Sequence, residues 1–139
     1  SNDIIKLYKK YFDNLNNYKL IGGIRHKRND TLIKIYSSKI ANNIRKFILN
    51  DDCIDTGCAL KIFDKKIFLS FKFFDGIHRF LPALFKGFGY NTHFINVYHR
   101  ARKYGISKYG TTKRLIKGVI DIIRVLRYIK KIKNDKLYK

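Results

Sequence analysis

A chain of 139 residues that is 45% hydrophobic carries enough apolar material for one packed domain, which excludes a disordered segment. Its 31 Lys and Arg against 10 Asp and Glu, a net charge of +21, point to polyanions: nucleic acid or an anionic membrane surface. Part of the lysine excess fits the coding bias of an AT-rich genome, since Asn, Ile and Tyr are frequent too while Pro is nearly absent.

Residues 3–16 carry Ile4, Ile5, Leu7, Tyr8, Tyr11, Phe12 and Leu15 at helical spacing. Tyr18 to Ile24 reads as a short buried strand that ends near Gly22-Gly23, followed by a polar loop from Arg25 to Asp30. Thr31 suits the N-cap of a long helix over 32–49. Its apolar positions Ile33, Ile40, Ile44 and Phe47 predict a core-facing stripe, with Lys34, Ser38, Asn42 and Arg45 on the opposite side. A loop over 50–57 leads to a strand at 59–63, and Asp64 is placed to cap a helical turn through Leu69. His78 to Phe88 predicts a second helix with Pro82 in its first turn and Gly89 as its stop. Thr92 to Tyr98 alternates as a strand, His99 to Thr112 reads as a long loop, and 113–133 predicts a basic amphipathic helix. The seam of that helix is Leu115, Val119, Ile122, Leu126 and Ile129, widened by Ile116, Ile120 and Ile123. Alternating helices and strands predict an α/β class. No run reaches the ~18 apolar residues that cross a bilayer. Cys53 and Cys58 lack metal-ligand spacing and read as reduced thiols.

The chemistry-bearing residues fall at predicted element ends, where rigid scaffolds place functional groups. Asp55-Thr56-Gly57-Cys58-Ala59-Leu60-Lys61 puts one carboxylate at a tight loop-to-strand entry, although Asp before Gly is also common in plain turns. Lys34 and Ser38 lie one helical turn apart, with Arg25 entering from the preceding segment. Arg102, Ser107 and Lys108 offer two cations and a hydroxyl around Gly105. Cations with hydroxyls suit charge-assisted hydrogen bonds to phosphate, while a solvated basic surface would show the same residues. His78 and His99 have no acidic or histidine partner at ligand spacing and read as structural. From Arg100 onward the only acids are Asp121 and Asp135, so the basic, greasy C-terminal helix favours an anionic membrane surface.

Taken in order, five clusters resemble family 2 glycosyltransferases, specifically the branch with dolichyl-phosphate mannose synthase and bacterial polyprenyl-phosphate glycosyltransferases. They are Arg25-His26-Lys27-Arg28, Ser38-Lys39-Ile40-Ala41-Asn42, Asp55-Thr56-Gly57-Cys58-Ala59-Leu60-Lys61, His78-Arg79-Phe80-Leu81-Pro82, and His99-Arg100-Ala101-Arg102 running on to Gly105-Ile106-Ser107-Lys108-Tyr109-Gly110. The resemblance implies the second part of a GT-A type (Rossmann-like) catalytic domain over 1–112, with 113–139 as a basic helix and tail at the membrane interface. It implies transfer of a sugar from a nucleotide-sugar to a polyprenyl phosphate, by a peripheral protein at the cytoplasmic face of a membrane. Asp55 matches the catalytic position. Arg25, Lys34, Ser38, Arg102, Ser107 and Lys108 match positions expected to hold phosphate, and Thr56, Gly57, Lys61, His78 and Arg79 are supporting. Lys34 stands where an arginine is common, and lysine lacks the bidentate fork. The branch's donor-binding half, with its Asp-x-Asp for a divalent Mg or Mn ion, would precede Ser1. No metal ligands are therefore expected in this chain, and the isolated chain is expected to be inactive. The alternative is a non-catalytic basic module that binds nucleic acid or a membrane. No nucleic-acid-binding motif is present, and the cations spread over several elements, so nucleic acid is not the expected partner.

Overall fold

The computed structural model describes the backbone of residues 2–26, 32–98 and 111–137. Its elements are α1 (Asn2–Phe12), β1 (Leu20–His26), α2 (Leu32–Leu49), β2 (Lys61–Phe63), α3 (Lys65–Leu69), a 3-10 turn at Ile77–Arg79, α4 (Leu81–Gly87), β3 (Thr92–Tyr98) and α5 (Thr111–Leu137). The three strands form a mixed sheet in the order β2-β1-β3. β1 pairs antiparallel with β2, placing Leu20 opposite Phe63, and parallel with β3, placing Leu20 opposite Thr92 and Arg25 opposite Val97.

Both faces of the sheet are covered, and the alternation of β1 explains how. Leu20 packs on one side with Leu84, Phe85, Val125 and Ile129 from α4 and α5. The next residue, Ile21, points the other way and packs with Leu7 and Tyr11 of α1, Cys58 and Val97. Leu7 and Tyr11 are four residues apart, so one stripe of α1 suffices to cover that face. Phe85 anchors the larger cluster, with Phe71 edge-on at 5.2 Å between centroids.

Element boundaries depart from the sequence reading for local reasons. α1 stops at Phe12 instead of residue 16, because Asn14 turns its side-chain amide onto the Lys10 carbonyl at 3.0 Å and competes with the helix. β1 extends to His26, so Arg25 belongs to a strand and not to a loop. β2 begins at Lys61, two residues later than expected. Asp64 caps α3 as expected, accepting from the Lys66 and Ile67 amides. The helix expected over 78–88 is split, since a continuous helix would drive the Pro82 ring into the carbonyl of residue 78. Gly89 ends α4 at φ +92°, where a side chain would be strained.

The largest correction concerns α2. Its expected core stripe faces out: Ile40, Ile44 and Phe47 are exposed, Phe47 by 88%. The polar stripe faces in, with Arg45 buried and Ser38 and Asn42 half-buried. In α5 Ile122, Leu126 and Ile129 of the expected seam pack on the core beside the fully buried Asp121 and Val125, whereas Ile116, Val119, Ile120 and Ile123 are exposed. A carboxylate thus sits beside a seam expected to be apolar. Asp121 is tolerated there because Arg79 and Arg124 both pair with it.

After Leu49 the chain reverses at Asn50, the one non-glycine residue with positive φ (+50°) among those described. Asn tolerates this left-handed conformation better than other side chains. Asn50→Gly is expected to unfold at an unchanged urea concentration, whereas Asn50→Val is expected to lose about 1–2 kcal/mol in the same measurement.

Candidate active site

Arg25 stands near the end of β1, and Asp55 lies in the loop between α2 and β2. Arg25 grips Asp55 three times. Its Nε donates to Oδ2 at 2.7 Å, its Nη2 to Oδ1 at 2.7 Å, and its backbone N–H to Oδ2 at 3.1 Å. This bidentate fork is the strong form of the carboxylate–guanidinium bond. The residue Asp55 is buried, at 6% exposure.

Gly57 is what lets the fork form. A Cβ added there would lie 2.7 Å from Arg25 Nη2. A side chain would therefore push the guanidinium off its line. Thr56 donates its hydroxyl to Asn42 Oδ1 at 2.9 Å, fastening the same loop to α2. Gly57→Ala is expected to keep the fold and to weaken anion binding by about tenfold, read as the apparent Kd for inorganic pyrophosphate in a calorimetric titration.

The fork forms one wall of a cavity of about 310 Å³ lined by Ile24, Arg25, Ser38, Lys39, Asn42, Asn43, Ile54 and Asp55. The inward polar stripe of α2 supplies the facing wall. Ser38 Oγ donates to the Ile35 carbonyl at 3.0 Å, which fixes the hydroxyl on this wall. Lys61, at the start of β2, donates to the Cys58 carbonyl and so closes the loop from below. Burial pulls the Lys61 ammonium below its ordinary pKa, with Asp55 and the two thiols opposing that shift. Burial pushes the Cys53 thiol up to about 11, so it is neutral at physiological pH and is no nucleophile.

The structure therefore brings together Arg25, Ser38, Asp55, Thr56, Gly57 and Lys61 from the expected set. His78 is exposed on the 3-10 turn, and its pKa is lowered by partial burial and by Arg79 and Lys61. Arg79, expected to support the site, is instead bonded to Asp121 of α5 at 2.8 Å, because that buried carboxylate needs a cation. Lys34 lies in the first turn of α2, but its side chain is outside the described residues, as are Arg102, Ser107 and Lys108. The sequence reading passed over Asp51 and Asn43, and it named Lys39 only within the Ser38–Asn42 cluster. Asp51 lies six residues beyond Arg45 across Asn50, a spacing that no single helix or strand period flags.

This chain is 31% identical over 106 residues, 76% of its own length and 32% of the relative, to an undecaprenyl-phosphate 4-deoxy-4-formamido-L-arabinose transferase of Shewanella sediminis. It is 28% identical over 113 residues, 80% of this chain and 33% of the relative, to a dodecaprenyl-phosphate galacturonate synthase of Rhizobium johnstonii. A Pectobacterium carotovorum transferase of the first kind is 29% identical over 78% of this chain and 33% of its own length. The chain is a distant homologue of polyprenyl-phosphate glycosyltransferases of family 2. It spans about one third of the length of those relatives. No family model matches it, and no solved structure does. The homology and the small α/β architecture agree with the resemblance drawn from the motifs.

Proposed function

We propose that this chain forms the acceptor side of a GT-A type glycosyltransferase, which moves a sugar from a nucleotide-sugar to a polyprenyl phosphate at the cytoplasmic face of a membrane. The observation that carries the reading is the Arg25–Asp55 fork, set in the wall of a cavity whose other wall offers Ser38, Lys39 and Asn42. Two phosphorylated reactants repel each other, and cations that approach both offset the repulsion. A phosphate nucleophile is ionised at neutral pH, so no strong general base is required. Asp55 then acts on charge and position. It fixes the guanidinium and sets negative charge beside an anomeric carbon that turns cationic in transfer. Arg102, Ser107 and Lys108 would complete the phosphate contacts, with Lys34 as a further cation.

Among the described residues no three of His, Cys, Asp or Glu converge as a metal group would require. No step here runs through the divalent Mg or Mn ion that the resemblance implies for the complete enzyme.

The outward apolar stripe of α2 supports the membrane assignment. Tyr36, Ile40, Ile44 and Phe47 are exposed on a helix that carries no acidic residue, and Lys39 and Lys46 flank them. α5 adds Ile116, Val119, Ile120 and Ile123. No helix among the described residues is long and apolar enough to cross a membrane. An amphipathic helix that lies in the interface needs no such length. One helix would then present phosphate-binding groups inward and apolar groups to the lipid.

Titration of the 15N-labelled chain with farnesyl phosphate tests the site. Amide shifts are expected at Arg25, Ser38, Asn42 and Thr56, and shifts confined to other surfaces would overturn the assignment. Sedimentation with vesicles containing anionic phospholipid tests the surface. Phe47→Asp is expected to reduce bound protein about tenfold, since it replaces an inserted ring by a repelled charge. Equal sedimentation of both proteins would remove α2 from the interface.

A further inference from the structure

Two arginine–aspartate forks bracket the loop between α2 and β2, and only one of them faces the cavity. The second is buried: Arg45 is 5% exposed and Asp51 1%. Arg45 Nη1 and Nη2 donate to the two oxygens of Asp51, and Nη2 also donates to the Cys53 carbonyl. Asp51 Oδ1 in turn accepts the Cys53 amide at 3.0 Å. Nothing in sugar transfer uses this pair.

Stability alone explains it poorly. Two charges removed from water cost more than their attraction often returns, and apolar side chains of equal volume commonly serve as well. Burial pushes the Asp51 carboxyl up, against the pull of Arg45, so that cost falls on this pair. Arg45 Nε is buried without a hydrogen-bond partner among the described residues, a further loss. What the fork does supply is direction. The left-handed Asn50 turns the chain back, and Asp51 meets Arg45 six residues earlier. Both backbone groups of Cys53 are then held. Two residues on, Asp55 reaches Arg25, and Thr56 reaches Asn42, three residues before Arg45 on the same helix.

We propose that the buried Arg45–Asp51 pair is the positioning element of the site, tying the loop to α2 so that Asp55 meets the Arg25 guanidinium squarely. Its value for phosphate binding rests on the function proposed above; its effect on the Arg25–Asp55 geometry does not.

The test uses the whole chain carrying Arg45→Met together with Asp51→Leu, which removes both charges and leaves neither unpaired. The first readout is exchange of the Arg25 Nε–H with water by 15N NMR, a proton held by Asp55 Oδ2 at 2.7 Å. Exchange is expected to be at least about tenfold faster in the folded double variant. The second is affinity for inorganic pyrophosphate, expected to fall about tenfold. Arg45→Lys, which keeps the charge and loses the fork, is expected to accelerate exchange by a smaller factor. A folded double variant with unchanged Arg25 exchange overturns the proposal, whatever its affinity. If the double variant does not fold, unchanged exchange in Arg45→Lys overturns it and faster exchange upholds it. Absence of pyrophosphate binding by the unaltered chain would sink the phosphate reading, while Arg25 exchange would still decide the tether.

Discussion

In a transferase that joins this chain to a donor-binding segment, Asp55→Asn is expected to lower the rate of sugar transfer by about 10²–10³-fold and to leave donor affinity unchanged. The substitution keeps the shape of the side chain and removes its charge. An amide oxygen in the Oδ2 place can accept from the Arg25 Nε and backbone N–H, but the amide nitrogen would then face Nη2 and lose the third bond that the carboxylate accepts. Arg25 loses its line into the cavity, and the negative charge that the proposed function sets beside the anomeric carbon disappears. Folding also suffers. The Arg25 side chain is only 20% exposed, so its charge is left largely unmatched, at a cost of about 2–4 kcal/mol. The two effects separate when kcat and the urea midpoint are measured on the same preparation below the unfolding transition. Turnover near the unaltered rate in folded protein would dismiss Asp55 as the functional acid.

The elements were legible where one period dominated. β3 and α2 match their expected spans, because the β-branched and aromatic run between Gly89 and His99 in the first and flanking Thr31 and Asn50 in the second leave little latitude. The orientation of α2 was not legible. Period alone identifies two opposite faces, and the usual rule sends the apolar one inward. Here the inward direction holds a polar cavity and a buried ion pair, so Arg45 goes in and Phe47 goes out. Nor did the period of α5 flag Asp121 as buried: it pairs with Arg124 nearby and with Arg79, 42 residues away. Pairings of that separation leave no local pattern. The Asp55 loop was legible as a motif, while its partner Arg25 was legible only as a neighbouring cluster. The bond between them spans 30 residues and follows from the register of β1.

Arg79, a motif residue, is bonded to Asp121 of α5, and Asp121→Asn separates a structural part for it from a chemical one. Asp121 has a side chain only 2% exposed, with Arg79 Nη2 2.8 Å from one oxygen and Arg124 Nη1 3.1 Å from the other. An asparagine offers one acceptor and two donors, and the donors would face guanidinium groups. Loss of a buried pair typically costs about 3–5 kcal/mol. Here the side chains of Arg79 and Arg124 are 35% and 51% exposed, so both can regain water, and about 2 kcal/mol is the expected loss by urea unfolding. The damage should stay at the junction of the 3-10 turn with α5. Pyrophosphate affinity and the Arg25 Nε–H exchange rate are therefore expected to match those of the unaltered chain. If Asp121→Asn weakens anion binding as severely as Asp55→Asn does, Arg79 belongs to the phosphate site, and the division between anchor and site drawn from its bond to α5 is wrong.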